Sequence, residues 1–181
     1  MNCNSNGNDQ LFDKMKQATK SWQMTCAGTE DLKAITEAVA QSIEPGDIIL
    51  LYGELGAGKT TLTQLLATAL DVGEDQYVSS PSFSLLHEYR GKIPIFHMDL
   101  YRLRDEDDVE AAGLLEVFTQ NGLCIVEWPD RLGSSVPPVR LDIEIMKDHA
   151  TDRQLILTPH GASWTTRVSR MTCLTPVYKS T

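Results

Sequence analysis

The sequence predicts an α/β fold, and three observations carry that prediction. Asp47 to Tyr52 is a short apolar run. It leads into Gly53 to Thr61, which reads G-E-L-G-A-G-K-T-T, and then into Leu62 to Leu70 with apolar residues at helical spacing. That order is strand, glycine-rich loop, helix. Leu123-Cys124-Ile125-Val126 is apolar throughout, as a parallel strand covered on both faces must be. Two further stretches, 83–100 and 140–158, alternate and fold back as β-hairpins.

Residues 1–20 begin Asn-rich and become weakly amphipathic at Leu11, Phe12 and Met15, the pattern of a flexible extension ahead of one domain over 21–161. Ser21 to Ala27 places Trp22, Met24 and Cys26 on one face and predicts an edge strand. A helix opens at Gly28-Thr29-Glu30-Asp31, with Thr29 as its cap, two acids in its first turn, and a stripe of Leu32, Ile35 and Val39. Pro45-Gly46 turns the chain into the strand before the glycine loop. Beyond the loop helix lie a polar turn, Asp71 to Gln76, and the hydroxyl-rich Ser79-Ser80-Pro81-Ser82-Phe83-Ser84. Phe83 to Tyr89 and Ile93 to Leu100 form the first hairpin around Arg90-Gly91-Lys92. Asp105 caps a helix lined by Val109, Ala112, Leu115 and Phe118, which Gly113 divides. A loop over Gly133 to Pro138 precedes the second hairpin, Arg140 to Lys147 and Arg153 to Thr158, expected at the edge of the sheet. Residues 162–181 show no period and read as a tail of unclear structure.

Composition narrows the classes of function. A net charge of -9 argues against binding nucleic acid or an anionic membrane directly, because both need clustered Lys and Arg. The four cysteines, at 3, 26, 124 and 173, form no C-x-x-C pair, so neither a metal cluster nor a disulfide framework is expected. Cys26 and Cys124 read as small core residues. The first residues lack the basic start and apolar stretch of a signal peptide, and no run approaches the roughly 18 apolar residues of a membrane span. A cytoplasmic protein with no membrane contact is the expectation.

Gly53, Gly58, Lys59 and Thr60 fit G-x-x-x-x-G-K-[ST], the phosphate-binding loop, in its required strand–loop–helix setting. Glycines let successive N–H groups converge on a phosphate chain, and the helix that follows adds its own unpaired N–H groups. Lys59 would reach the β- and γ-phosphates and the Thr60 hydroxyl would ligate Mg²⁺. Such a site needs a second acid at the end of a neighbouring strand. Glu127 ends L-C-I-V-E and Asp99 ends I-F-H-M-D; Glu127 has the more central strand, and both remain candidates. The serines at 79–84 lie where switch loops meet a γ-phosphate, although a plain Ser/Pro turn reads equally well. Trp128-Pro129 reads either as an aromatic cap on the core or as a wall fixing the Glu127 loop; His87 and His97 read as structural. No N-K-x-D occurs to read guanine, and Asp130-Arg131-Leu132-Gly133 matches D-x-x-G by chance.

Four stretches together resemble the TsaE family, the small ATPases of bacterial tRNA threonylcarbamoyladenosine synthesis. They are G-E-L-G-A-G-K-T-T at 53–61, S-P-S-F-S-L-L-H-E-Y at 80–89, H-M-D-L-Y-R-L at 97–103 and V-E-W-P at 126–129. The resemblance runs from about residue 22 to 160. It implies a P-loop NTPase-like three-layer sandwich, with parallel core strands flanked by antiparallel strands, that hydrolyses ATP with Mg²⁺. It implies Thr60 and Glu127 as metal ligands, with Lys59, Asp99 and Glu127 as the hydrolytic residues. Nucleotide contacts are implied from Glu54, Leu55, Gly56, Ala57, Gly58, Lys59, Thr60 and Thr61, from Ser82 and Arg153, and from Thr29 and Glu30 near the base. The family usually reads S-P-T-[FY]-T where this chain has Ser80-Pro81-Ser82-Phe83-Ser84, so Ser82 keeps the hydroxyl without the methyl that stiffens it. The implied partners are TsaB and TsaD, with tRNA met only through them. A small-molecule kinase is the rival, but the arginines are scattered and form no lid segment. A nucleotide-binding regulator without turnover is the second rival.

Overall fold

The computed structural model describes residues 20–147 and 152–178; of the extension expected over 1–20, residues 1–19 lie outside them and Lys20 is the first residue of a strand. Among the described residues, eight strands form one sheet: β1 (Lys20–Cys26), β2 (Ile48–Tyr52), β3 (Leu86–Arg90), β4 (Pro94–Asp99), β5 (Leu123–Glu127), β6 (Arg140–Lys147), β7 (Arg153–His160) and β8 (Thr175–Tyr178). Their spatial order is β3-β4-β5-β2-β6-β7-β1-β8. The pairs β4/β5, β5/β2 and β2/β6 are parallel, and the remaining pairs are antiparallel. A parallel core with antiparallel flanks is therefore present, as the P-loop NTPase-like fold requires.

Helices α1 (Thr29–Ala40) and α2 (Lys59–Ala69) cover one face, packing Leu32, Ile35, Val39, Leu62 and Leu66 on Ile49, Leu51, Ile125 and Ile143. Helix α3 (Glu106–Ala111) and the 3-10 turns Leu114–Thr119 and Pro129–Ser135 cover the other, over Leu50, Met98, Leu100 and Val126. β2 and β5 are buried along both faces, which is why their sequences are apolar without alternation. Gly113 divides the 105–119 helix as expected, with φ 69°. Asp105 caps its first half by accepting from the Asp108 N–H at 3.2 Å.

Four local expectations need correction. β1 is not an edge strand: β7 lies on one side and β8 on the other. The β6/β7 hairpin is likewise interior, because β6 joins β2 in parallel and β7 pairs onward with β1. Thr29 does not cap α1; Gly28 holds the cap position without a side-chain bond, and the Asp31 carboxylate accepts from the Ala27 N–H at 2.9 Å instead. Phe83 and Ser84 belong to a turn, and β3 begins only after Leu85 has passed through a left-handed conformation at φ 66°.

Residues 162–178, where no period is visible, contain α4 (Ala162–Val168) and β8. Two turns of helix and four residues of strand are too short to register a period. Trp164 is fully buried in the main core. The Arg167 guanidinium lies 3.9 Å from its ring and donates to Asp47 Oδ1 at 2.7 Å and to the Ser42 carbonyl at 2.7 Å. Asp47 stands directly before β2, so this contact steadies the strand that leads into the glycine loop. Trp164→Ala should cost about 3–5 kcal/mol, the range for truncating a large buried aromatic. Equilibrium urea unfolding measures it, and a loss below about 1 kcal/mol would mean that α4 contributes little to the core.

Candidate functional site

The glycine loop turns sharply because its glycines take conformations closed to other residues. Gly53, Gly56 and Gly58 have φ of 144°, 73° and 112°, and Gly58 is the N-cap of α2. Gly53 also passes close to β6: a Cβ there would stand 2.6 Å from the Ile145 carbonyl oxygen. Arg153 on β7 braces the loop from the side, its Nε–H donating to the Ala57 carbonyl at 3.0 Å.

Lys59 curls back over the loop. Its ammonium donates to the carbonyls of Gly53 at 2.7 Å and Glu54 at 3.0 Å, and lies 3.9 Å from the centre of the Trp128 ring. Burial pushes the Lys59 pKa below the ordinary lysine value, and the charges of Glu127 and Asp99 partly offset the effect.

Strand register brings the two acids together. Asp99 pairs with Glu127 across β4/β5, and Glu127 pairs with Leu51 across β5/β2. All three strands run in the same direction, so both carboxylates end beside the loop, at the carboxyl edge where open α/β sheets bind ligands. Each is 3% exposed. Glu127 Oε1 accepts from the Thr60 hydroxyl at 2.9 Å and lies 3.0 Å from His97 Nε2. Asp99 accepts a short bond from the Ser80 hydroxyl through Oδ2, and the Tyr101 N–H at 3.0 Å through Oδ1.

These groups face a cavity of about 420 Å³. Of the residues named from the sequence, Leu55, Gly56, Gly58, Lys59, Thr60, Thr61, Ser82, Asp99, Glu127 and Arg153 line it. Glu54 and Ala57 belong to the loop; the Glu54 carbonyl accepts from Lys59 and the Ala57 carbonyl from Arg153. Thr29 and Glu30 are exposed at the start of α1 and do not line the cavity; β1 ends opposite Arg153, and it is Arg153 that reaches the space. The sequence reading named Ser80 only within its stretch, gave Tyr101 and Arg102 no role although all three are at the cavity, and took His97 as structural where it lies against Glu127. Ser80 lies in the hydroxyl-rich stretch already singled out, and Tyr101 and Arg102 follow Asp99 by two and three residues, so proximity to a strand-end acid was the available signal.

A hydroxyl and two carboxylates are the hard oxygen ligands that suit Mg²⁺. Among the described residues, no group of three or more His, Cys, Asp and Glu is arranged to hold a metal by itself. Mg²⁺ is commonly held this way, by one or two carboxylates together with the phosphates of a bound nucleotide.

Strand, phosphate loop and helix, with acids on the two neighbouring parallel strands, define a P-loop NTPase-like protein. The family model described as threonylcarbamoyl adenosine biosynthesis protein TsaE matches residues 26–155, and the chain belongs to that family. It is 41% identical over 133 residues to the tRNA threonylcarbamoyladenosine biosynthesis protein TsaE of Bacillus subtilis, covering 73% of this chain and 82% of the relative. It is 38% identical over 121 residues to the TsaE of Aquifex aeolicus, covering 66% and 84%. A crystal structure of YdiB from Bacillus subtilis superimposes with a TM-score of 0.71 at 31% identity, over 84% of this chain and 94% of that one. No helix among the described residues is long and apolar enough to cross a membrane.

Gly53→Ala tests the loop geometry. A Cβ at this position meets β6 backbone rather than a movable side chain, and φ 144° is strained for alanine. The variant should lose about 1–3 kcal/mol in thermal unfolding. Unchanged stability would show that the loop can shift away from Ile145.

Proposed function

We propose that this protein is a Mg²⁺-dependent ATPase that supports threonylcarbamoylation of the adenosine 3′ of the anticodon in tRNA, acting in the cytoplasm with TsaB and TsaD. The observation that carries the reading is the convergence of Lys59, Thr60, Asp99 and Glu127 on one cavity beside the glycine loop. Family membership supports the link to tRNA modification. The absence of N-K-x-D from the sequence favours adenine over guanine.

Bound Mg²⁺ supplies charge neutralisation at the phosphates. The chain does the rest. The loop N–H groups and the start of α2 hold the phosphate chain. Lys59 exchanges its two carbonyl partners for phosphate oxygens, which are stronger acceptors for an ammonium. Thr60 and Glu127 hold the metal side of the site, with the Thr60 hydrogen already committed to Glu127 and its lone pairs free. Asp99, fixed by Ser80 and the Tyr101 N–H, orients the attacking water and accepts its proton. Trp128 and Tyr101, with ring centres 5.0 Å apart, wall the cavity. The net charge of -9 fits a subunit that meets tRNA only through its partners.

Phosphate release from ATP, measured with and without purified TsaB and TsaD, tests the proposal. Stimulation by the partners is expected. Hydrolysis indifferent to them, coupled to phosphoryl transfer onto a metabolite, would replace this reading with a kinase. Lys59→Ala should reduce hydrolysis by about 10²- to 10³-fold and abolish tRNA modification while the fold melts normally. Glu127→Ala should lose Mg²⁺-dependent hydrolysis while still binding nucleotide, which titration with Mg²⁺ and with EDTA separates.

A further inference from the structure

His97 occupies a position where a hydrocarbon side chain would be expected. It lies on β4 between Ile95 and Asp99, on the face of the sheet covered by α2, and is fully buried. Its strand partner is Ile125, which puts Glu127 diagonally ahead on the same face of β5. Nε2 lies 3.0 Å from Glu127 Oε1. An ionised carboxylate only accepts, so Nε2 carries a hydrogen and donates to it. Among the described residues Nδ1 has no partner. The nearby Tyr89 hydroxyl donates to the Ser79 carbonyl at 3.2 Å and is paired with His87 Nδ1 at 3.1 Å. A buried polar atom without a partner weakens the folded state, whereas an apolar side chain of the same shape would avoid the loss. Stability therefore does not account for an imidazole at this position.

Its bond to Glu127 does. The Thr60 hydroxyl donates to the same oxygen at 2.9 Å, so both lone pairs of Oε1 are occupied. Two donors arriving from different elements, one from α2 and one from β4, also prevent rotation of the carboxylate. We infer that His97 is a positioning residue for Glu127, which holds Oε1 jointly with Thr60 and leaves Oε2 as the oxygen offered to the nucleotide-bound metal. The inference rests on the Mg²⁺–nucleotide reading of the site. Donors to a ligating carboxylate orient it and tune its affinity for the ion, and losing one typically costs 10- to 100-fold in metal affinity.

Gln and Asn separate this role from a structural one. The amide nitrogen of glutamine reaches about as far as Nε2 of histidine, whereas that of asparagine reaches only as far as Nδ1. Binding of a fluorescent ATP analogue is followed as Mg²⁺ is titrated, and again in EDTA, for wild type, His97→Gln, His97→Asn and His97→Phe. His97→Asn and His97→Phe should need about 10- to 100-fold more Mg²⁺ for the same effect, with affinity in EDTA unchanged. His97→Gln should stay within about threefold of wild type, because it restores the donor. If His97→Phe fails to fold, the Asn and Gln variants, which differ by one methylene, still decide the matter. Equal Mg²⁺ requirements for Asn, Gln and wild type overturn the inference and leave the ATPase reading standing. Equal losses in Asn and Gln also overturn it, since the donor would then be irrelevant. A wild-type protein whose nucleotide binding ignores Mg²⁺ overturns the reading and the inference together.

Discussion

The register of β5 between β2 and β4 decides the geometry of the whole site. Leu51 and Asp99 both pair with Glu127, one on each side. That pairing sets the last residue of β5 level with the last of β4 and just short of the glycine loop. A slip of one residue would turn Glu127 to the opposite face, toward Leu100 and Val126, and bring an apolar side chain to the cavity. The ladders on both sides of β5 carry that register, Ile48 to Leu51 against Cys124 to Glu127 and Ile95 to Asp99 against Leu123 to Glu127. The polar ends of the strands distinguish it, because the apolar runs themselves are alike on both faces.

Given that alignment, the polar groups form one connected set. Thr60 and His97 share an oxygen of Glu127, Ser80 and the Tyr101 N–H hold Asp99, and Lys59 rests on the loop's own carbonyls beneath Trp128. Trp128 itself is strained, with φ 60° and ψ 49°, a left-handed conformation worth about 1–2 kcal/mol against a side chain. The strand must leave the sheet immediately after Glu127, and Pro129 disfavours a right-handed helical residue before it. The contacts of the indole with Lys59 and Tyr101 offset that strain and keep the ring at the cavity wall. The ammonium of Lys59 is kept out of water, and among the described residues no carboxylate is bound to it.

Much of this was legible in the sequence, for identifiable reasons. The glycine loop, the buried strand ending in Glu127 and the break at Gly113 rest on local patterns with a direct physical meaning. The order of strands does not, because an alternating run looks the same at an edge as in the interior once its polar face is covered by another element. For this reason β1, β6 and β7 read as edge strands. The segment over 162–178 was opaque because its elements are short and its contribution comes from two side chains, Trp164 and Arg167, whose partners are distant in sequence. His97 was opaque for a different reason. A histidine in a strand carries no sign of whether its ring meets core atoms or a carboxylate on the next strand, and only the diagonal offset between β4 and β5 reveals it.

The grip of Arg167 on Asp47 has a consequence for the order in which the molecule is built. Asp47 introduces the first strand to bear a functional loop, yet its counter-charge lies 120 residues further along the chain. During synthesis, β2 and the glycine loop leave the ribosome before that counter-charge is made, with only the Glu44 N–H near at hand for the carboxylate. The parallel partner β5 and the bracing arginine on β7 also arrive later. The glycine loop is therefore made well before the elements that secure it: β5, Arg153 of β7 and Arg167 of α4.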